Sequence, residues 1–154
     1  MEIRRLENDE QIPIDLLLQA DPSEQLIIEY TRNGECFVAQ MKDQVIGSYV
    51  LCEKNLDTIE LKNIVIKEEF QGQGLGKILL FHSIEHARNK GYKAIEVGTG
   101  NSSLGQLAFY QKCGFRMSDI DQDFFIRQYS DIIIENGIQC RDMIILRLEL
   151  KKEN

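Results

Sequence analysis

The chain has 154 residues, of which 43% are hydrophobic and 28% charged, and its formal net charge is −7. This length is enough to bury a hydrophobic core, so we expect residues 1–154 to form a single domain. The negative charge argues against nucleic-acid binding, because contact with phosphates requires a basic surface.

The sequence also favours a reduced, metal-free protein. Its four cysteines (Cys36, Cys52, Cys113 and Cys140) lie far apart, without the Cys-x-x-Cys spacing typical of a zinc site, so we expect no metal. No segment has the length and apolarity that a signal peptide or a membrane span requires. We therefore expect a cytoplasmic protein with no membrane partner.

The first predicted elements are two short helices followed by an antiparallel meander. Apolar residues at helical spacing favour helices over Pro13 to Ala20 and Glu24 to Thr31. Alternating apolar positions then indicate three strands joined by tight turns. These strands cover 35–42, 45–53 and, after a turn at 55–57, a segment running to Lys67.

A glycine-rich turn follows the third strand and says most about function. The apolar run Ile64 to Ile66 leads to three glycines at alternate positions in the Gln71–Lys77 turn, and a helix is predicted from Leu75 to Lys90. Such a turn at a helix N-terminus presents unpaired backbone N–H groups where the helix dipole favours negative charge. We therefore predict a pyrophosphate cradle at this turn.

The glycine spacing excludes two common phosphate cradles. A P-loop requires glycine where Gln71 stands and serine or threonine where Ile78 stands. A dinucleotide fingerprint requires G-x-G-x-x-G at the first strand-to-helix turn, whereas this chain has G-x-G-x-G in its middle. A nucleotide-binding domain is therefore disfavoured.

The second half of the chain continues with alternating strands and helices. The strand predicted over 93–99 follows a helix and is therefore expected to run parallel to the strand before the glycine turn. The remaining predicted elements are a helix over 103–113, a strand opening at 115–118, an aromatic-rich turn at 121–125, a short strand at 132–134, a turn at 135–137 and a closing strand at 143–150.

Two motifs resemble signatures of the GCN5-related N-acetyltransferase (GNAT) superfamily. Gln71, Gly74 and Gly76 fill its acetyl-CoA-binding motif, Gln/Arg-x-x-Gly-x-Gly/Ala. The later Tyr110-x-x-x-Gly-Phe115 sequence is similar to its second signature. The resemblance covers about residues 35–118 strongly and the remainder loosely. It implies an α/β (α+β) fold whose mixed, mostly antiparallel central sheet has about six to seven strands and about four flanking helices.

The resemblance implies an enzyme that uses acetyl-CoA as cosubstrate. Such an N-acetyltransferase moves the acetyl group directly, in a ternary complex, to a primary amine of a small molecule or peptide. The alternative is a non-catalytic acyl-CoA-binding module, a sensor that keeps the cradle without turnover. The acceptor itself is not identified by the sequence. Apolar residues between Ile132 and Leu150 would suit a homodimer.

The family chemistry also implies roles for particular residues. Tyr110 would protonate the leaving sulfur, and Glu60 would deprotonate the amine, unless a water chain does so. The main chain of Ile64 to Ile66 would polarise the thioester carbonyl. Either Asn101 or Ser103 would approach the pantetheine arm, because the position of the usual family asparagine holds Ser103. The predicted acetyl-CoA-binding residues are Ile64, Val65, Ile66, Gln71, Gly72, Gln73, Gly74, Leu75, Gly76, Lys77, Asn101, Ser103 and Tyr110.

Each role competes with a purely structural interpretation. Tyr110 could simply pack between helix and sheet, and Glu60 could be a solvated residue at a strand end. Lys77 could contact a CoA phosphate or point into solvent. The Asp119–Asp123 cluster with Phe124, Phe125 and Tyr129 would suit a cationic acceptor, or be a surface acidic loop with core aromatics.

Overall fold

The computed structural model describes residues 1–151 and contains a seven-stranded sheet, a two-stranded hairpin and five α-helices. The strands are β1 Glu2–Arg5, β2 Glu35–Met41, β3 Gln44–Glu53, β4 Thr58–Ile66, β5 Ala94–Gly100, β6 Arg116–Asp121, β7 Ile134–Glu135, β8 Ile138–Gln139 and β9 Met143–Glu149. The helices are α1 Ile14–Leu17, α2 Glu24–Asn33, α3 Leu75–Asn89, α4 Leu104–Lys112 and α5 Phe124–Gln128, and a 3₁₀ turn covers Glu68–Phe70. Within residues 1–151, none of these helices is long and apolar enough to span a membrane.

The large sheet is mixed and mostly antiparallel, which confirms the predicted fold class. Its strand order is β1-β2-β3-β4-β5-β9-β6, and its one parallel pair is β4 with β5. That pair is parallel because α3 carries the chain back across the sheet between them. The short strands β7 and β8 form the separate hairpin.

Helices cover both faces of the sheet, so its central strands are buried on both sides. β3 is buried without interruption from Ile46 to Cys52. One face packs against α3 through residues such as Leu79 and Leu80, and the opposite face packs against α1 and α2 through Leu17 and Ile27. The sheet is therefore a rigid support for whatever lies at its strand ends.

The structure corrects several predicted elements. Residues Glu2 to Arg5 form an edge strand that the sequence analysis did not predict, because its polar residues show no alternation and it is defined by pairing with β2. Phe124–Gln128 is a short helix rather than part of a turn. The strand predicted at 132–134 lies instead at 134–135. It pairs with β8 across a tight two-residue turn formed by Asn136 and Gly137. The positive φ angles of these two residues, 55° and 73°, are typical of such hairpin turns.

Ile95 offers a test of the central packing. Its side chain is fully buried in β5, so Ile95→Ala should lower the free energy of unfolding by about 2–5 kcal/mol through the cavity it leaves. Equilibrium denaturant unfolding measures this change. The matched control is Ile132→Ala, where the side chain is 75% exposed and a change within about 0.5 kcal/mol is expected. Equal losses in the two variants would contradict this assignment of the core.

Candidate active site

A gap inside the sheet is the most conspicuous feature of the site. β4 and β5 pair from Thr58 with Ala94 to Leu61 with Val97, and then separate. Each strand keeps its outer partner beyond that point, since β4 stays paired with β3 to Ile66 and β5 stays paired with β9 throughout its length. In the described part of the chain, the facing edges of β4 and β5 beyond Leu61 and Val97 thus carry backbone groups without a partner strand.

A β-bulge marks the place where the strands part. Val50 of β3 pairs with Asn63 and the next residue, Leu51, pairs with Leu61, so Lys62 is an extra residue in β4. A bulge bends its strand and increases the local twist. Because Lys62 directly follows the last residue paired with β5, we attribute the divergence of the strands to this bulge.

The gap opens into a cavity of about 430 Å³, which we call the splay crevice. Its walls come from both strands, from α4 and from the segment between α1 and α2. They include Asn63, Ile64, Thr99, Ser103 and Tyr110. Among the main-chain residues predicted to act on the thioester, Ile64 lines the crevice, while Val65 and Ile66 are buried in the two cores on either side of the sheet.

The end of α4 fixes the position of Tyr110. The N–H of Phe115 donates to the carbonyl of Tyr110 (3.0 Å) and the N–H of Gly114 donates to that of Gln111 (3.1 Å), the pattern of a Schellman motif. Gly114 has a φ of 99°, which this motif requires. The rings of Tyr110 and Phe115 pack edge to face at 5.7 Å. The Tyr-x-x-x-Gly-Phe signature is therefore a helix cap that points this tyrosine into the sheet.

The hydroxyl of Tyr110 is free to meet a ligand. The side chain is only 4% exposed and lines the splay crevice, yet its hydroxyl makes no hydrogen bond to any residue of the described chain. Burial raises the pKa of Tyr110 well above its ordinary value. The phenol thus keeps its proton at neutral pH and can donate it.

The predicted cradle lies just beyond the end of β4. The backbone N–H groups from Gly72 to Lys77 belong to the first turn of α3 and the loop before it. None of them donates to an acceptor in residues 1–151. Gly74 is the N-cap of α3 with a φ of 80°, and a Cβ added there would meet no atom within 4 Å. These features fit a phosphate at the helix N-terminus.

The other predicted residues of the turn have distinct surroundings. The side-chain amide of Gln71 donates to the carbonyl of Ile66 (2.8 Å), which ties the turn to β4. Gln73 is exposed, and the ammonium of Lys77 lies 5.8 Å from the ring centre of Phe81. Contact of these residues with a phosphate stays a prediction.

Asn101 and Ser103, the two candidates for the pantetheine arm, lie in different places. Asn101 is used inside the protein: its Oδ1 accepts from the N–H groups of Arg141 (2.8 Å) and Asp142 (3.0 Å), and its Nδ2 donates to Gln139 (3.1 Å). Ser103 lines the splay crevice and donates to a carboxylate oxygen of Glu135 (3.0 Å). Of the two, Ser103 is placed to approach a ligand there.

A second cavity of about 430 Å³, which we call the acidic cleft, meets the splay crevice where the strands part. Both cavities are lined by Leu61, Lys62, Val97 and Gly98, as well as by Asp21, Tyr129 and Met143. The carboxylates of the cleft outnumber its lysines by five to two; they are Asp21, Glu29, Glu60, Glu96 and Asp121.

Two neighbouring glutamates of the cleft differ in their partners. Glu60, the predicted base, has a side chain 24% exposed and an ion pair with Lys62 (3.0 Å). Glu96 lies opposite it on β5 and is held by Lys54 (2.6 Å) and Arg147 (2.9 Å). Burial alone would raise the pKa of Glu96, but the hydrogen bonds from Lys54 and Arg147 outweigh it and lower that pKa. The charge of Glu96 is thus internally balanced.

The aromatic and acidic segment near α5 is divided between the two cavities. Asp121, Phe124 and Tyr129 line the acidic cleft, and Tyr129 also reaches the crevice together with Phe125. The remaining aspartates are engaged elsewhere: Asp119 accepts from its neighbour Ile120, and Asp123 pairs with Arg141. Within residues 1–151 there is also no cluster of His, Cys, Asp and Glu side chains that could hold a metal ion.

Comparison with known proteins finds a matching family model and a similar bacterial protein. The family model described as the acetyltransferase (GNAT) family matches residues 2–115. The uncharacterized N-acetyltransferase YvbK of Bacillus subtilis strain 168 is 52% identical over 136 residues, which cover 88% of each chain.

Solved structures of similar proteins contain the predicted ligand. A GNAT family acetyltransferase from Elizabethkingia anophelis with acetyl-CoA bound has 49% identity and a TM-score of 0.95, with 97% of each chain covered. A Bacillus subtilis acetyltransferase in complex with CoA has 49% identity and a TM-score of 0.91, covering 97% of this chain and 98% of the other.

Gly74→Val tests the phosphate cradle. A side chain there would occupy the space where the backbone meets the phosphate, so the dissociation constant for CoA, measured by calorimetry, should rise about tenfold or more. The matched control is Gly91→Val, because Gly91 ends α3 with a φ of 89° and open space around it, so it brings the same backbone strain without the phosphate. Equal CoA affinity in the two variants would rule out the cradle.

Proposed function

This chain belongs to the acetyltransferase (GNAT) family and is an acetyl-CoA-dependent N-acetyltransferase, and we propose that acetyl transfer takes place where the splay crevice meets the acidic cleft. The observation that carries this proposal is the shared wall of the two cavities at Leu61 and Val97. A donor held in the crevice and an amine held in the cleft would meet there, as direct transfer requires.

The proposed donor position follows from the unpaired backbone groups. The pyrophosphate of acetyl-CoA binds the N–H groups of the Gln71–Lys77 turn, at the positive end of the α3 dipole. The pantetheine arm, which carries two amides, lies in the crevice and pairs with the open edge of β4 as an added strand would. The thioester then lies near Ile64, within reach of main-chain donors that stabilise negative charge on its oxygen.

The proposed reaction is a direct attack of the neutral amine on the thioester carbonyl. The carbon–nitrogen bond forms, the carbon–sulfur bond breaks, and the thiolate receives a proton from the phenol of Tyr110. The proton that the nitrogen loses as the amide forms returns to the phenolate, directly or through water, and restores Tyr110. The amine must first lose a proton, and Glu60 receives it directly or through water. Its ion pair with Lys62 (3.0 Å) holds the carboxylate in the cleft.

A coupled assay tests the function as a whole. Release of the CoA thiol from acetyl-CoA is followed with a panel of alkylamines, polyamines, amino acids and peptides. We expect amine-dependent release with at least one class, and N-acetylated product of equal amount. Tight CoA binding with no release for any amine would instead support the non-catalytic acyl-CoA-binding module. The homodimer and the cytoplasmic location stay predictions from the sequence.

Tyr110→Phe should separate chemistry from binding. Loss of the phenol proton should lower kcat by about 10²–10⁴-fold while CoA affinity stays nearly unchanged. The control is Tyr92→Phe, which removes a hydroxyl that donates to Glu53 (2.8 Å) outside both cavities. Unchanged kcat for Tyr110→Phe would make this tyrosine a packing residue.

Glu60→Gln tests the proposed base. We expect kcat at neutral pH to fall by about 10²-fold, because the amide cannot accept a proton. The control is Glu85→Gln on α3, where the carboxylate is also ion-paired, with Arg88, but lies outside both cavities. If both variants keep the kcat of the parent protein, a water chain rather than Glu60 removes the proton.

A further inference from the structure

Asp21 lies at the junction of the two cavities, and its carboxylate accepts hydrogen bonds from three donors. It stands in the loop between α1 and α2, is half-buried, and lines both the splay crevice and the acidic cleft. Its Oδ1 accepts from the hydroxyl of Tyr129 (2.8 Å) and the N–H of Ser23 (3.0 Å), and its Oδ2 accepts from the hydroxyl of Tyr30 (3.1 Å). The carboxylate is therefore fixed in orientation.

One acceptor position of this carboxylate remains open. The Nδ2 of Asn63 donates to the hydroxyl oxygen of Tyr30 (2.9 Å), so the single hydrogen of that hydroxyl is directed to Asp21. A carboxylate has about four acceptor sites, and the three donors fill two on Oδ1 and one on Oδ2. A further donor can reach Oδ2 without displacing any of them.

Asp21 differs from its neighbours in charge compensation. Of the five carboxylates that line the cleft, Glu60, Glu96 and Asp121 each pair with a lysine or arginine, and Glu29, which has no ion pair within residues 1–151, is exposed to solvent. All three donors to Asp21 are neutral, and in the described part of the chain no basic side chain forms an ion pair with it. A carboxylate with an open acceptor position and no cationic partner suits a positively charged ligand group, since a hydrogen bond between two charged groups is stronger than one between neutral groups.

Asn63, which donates to Tyr30 in this network, supplies a second, independent sign of a ligand on the crevice side. Its side chain is 5% exposed and lines the splay crevice, and its Oδ1 is the one buried side-chain polar atom of residues 1–151 with no hydrogen-bond partner. Both amide hydrogens of Asn63 are already used, by Tyr30 and by the carbonyl of Leu17 (3.1 Å), which fixes the amide orientation. Buried acceptors without a donor are rare and call for one.

We propose that Asp21 binds the ammonium group of the acceptor and thereby selects protonated primary amines. This inference rests on the proposed function, since it names what recognises the amine in that reaction. The ammonium donates to the open position of Oδ2, on a carboxylate that the hydroxyl groups of Tyr30 and Tyr129 hold in place. Asp21 is thus the specificity-determining residue, and Glu60 in the same cleft is the group that takes the proton.

Calorimetry on the CoA-loaded protein tests this assignment without depending on turnover. The probes are butylamine, 1,4-diaminobutane and a peptide with a free N-terminal alanine, so that small amines are distinguished from peptide N-termini. 1-Butanol is the neutral counterpart of butylamine. We expect at least one amine to bind the parent protein and 1-butanol to bind at least about tenfold more weakly.

Asp21→Asn should weaken that amine by about tenfold or more while CoA affinity stays within about twofold, because the amide keeps the shape and loses the charge. Asp43→Asn is the matched control: Asp43 is exposed in the β2–β3 turn and makes no described side-chain hydrogen bond, so both affinities should be unchanged.

Several results would overturn the assignment of Asp21. They are equal amine affinity in the parent protein and Asp21→Asn, equal binding of butylamine and 1-butanol, absence of binding for all three amines, or a loss of CoA affinity as large as the loss of amine affinity. Amine binding that depends on Asp21 but gives no release of CoA thiol would contradict the proposed function and leave this assignment standing.

Discussion

The candidate site depends on the separation of two neighbouring strands, β4 and β5, in the middle of the sheet. β4 is committed to β3 and β5 to β9 along almost their full lengths, whereas β4 and β5 share only the pairs from Thr58–Ala94 to Leu61–Val97. The bulge at Lys62 directly follows the Leu61–Val97 pair and turns β4 away from β5. Two strand edges are thereby left open in the interior of the sheet, and the hydrophobic cores on both faces pack against the strands on either side of the opening.

In the proposed site, the charges of the two cavities would direct acetyl-CoA and the amine to different places. On the donor side, the crevice and the glycine turn offer backbone N–H groups and a helix N-terminus, which suit phosphates and a developing oxyanion. On the acceptor side, carboxylates prevail, and most are balanced by internal cations. A CoA phosphate is repelled from that cleft and an ammonium is attracted to it. The phenol of Tyr110 lines the splay crevice, which is the proposed donor side.

Local sequence patterns predicted the two parts of the candidate site that are formed within a few consecutive residues, the glycine turn and the end of α4. The glycine spacing predicted the cradle at Gly74, and the Tyr110-to-Phe115 signature is visible because a Schellman cap needs its glycine at one fixed place. The network around Asp21 could not be predicted, since Tyr129 is 108 residues away and only the folded sheet brings the two together. Asn101 illustrates the same limit: an asparagine near the motif is used for a loop contact that the sequence does not reveal.

The open edge of β4 is the central claim, and amide hydrogen exchange tests it most directly. The N–H groups of residues 62–66 that face the gap, and those of 72–77, lack acceptors within residues 1–151 and should exchange fast in the free state. Saturating CoA should slow exchange in both segments together and leave the edge strand β1 unchanged. Protection confined to 72–77, with no change in β4, would contradict the claim that the ligand completes the sheet.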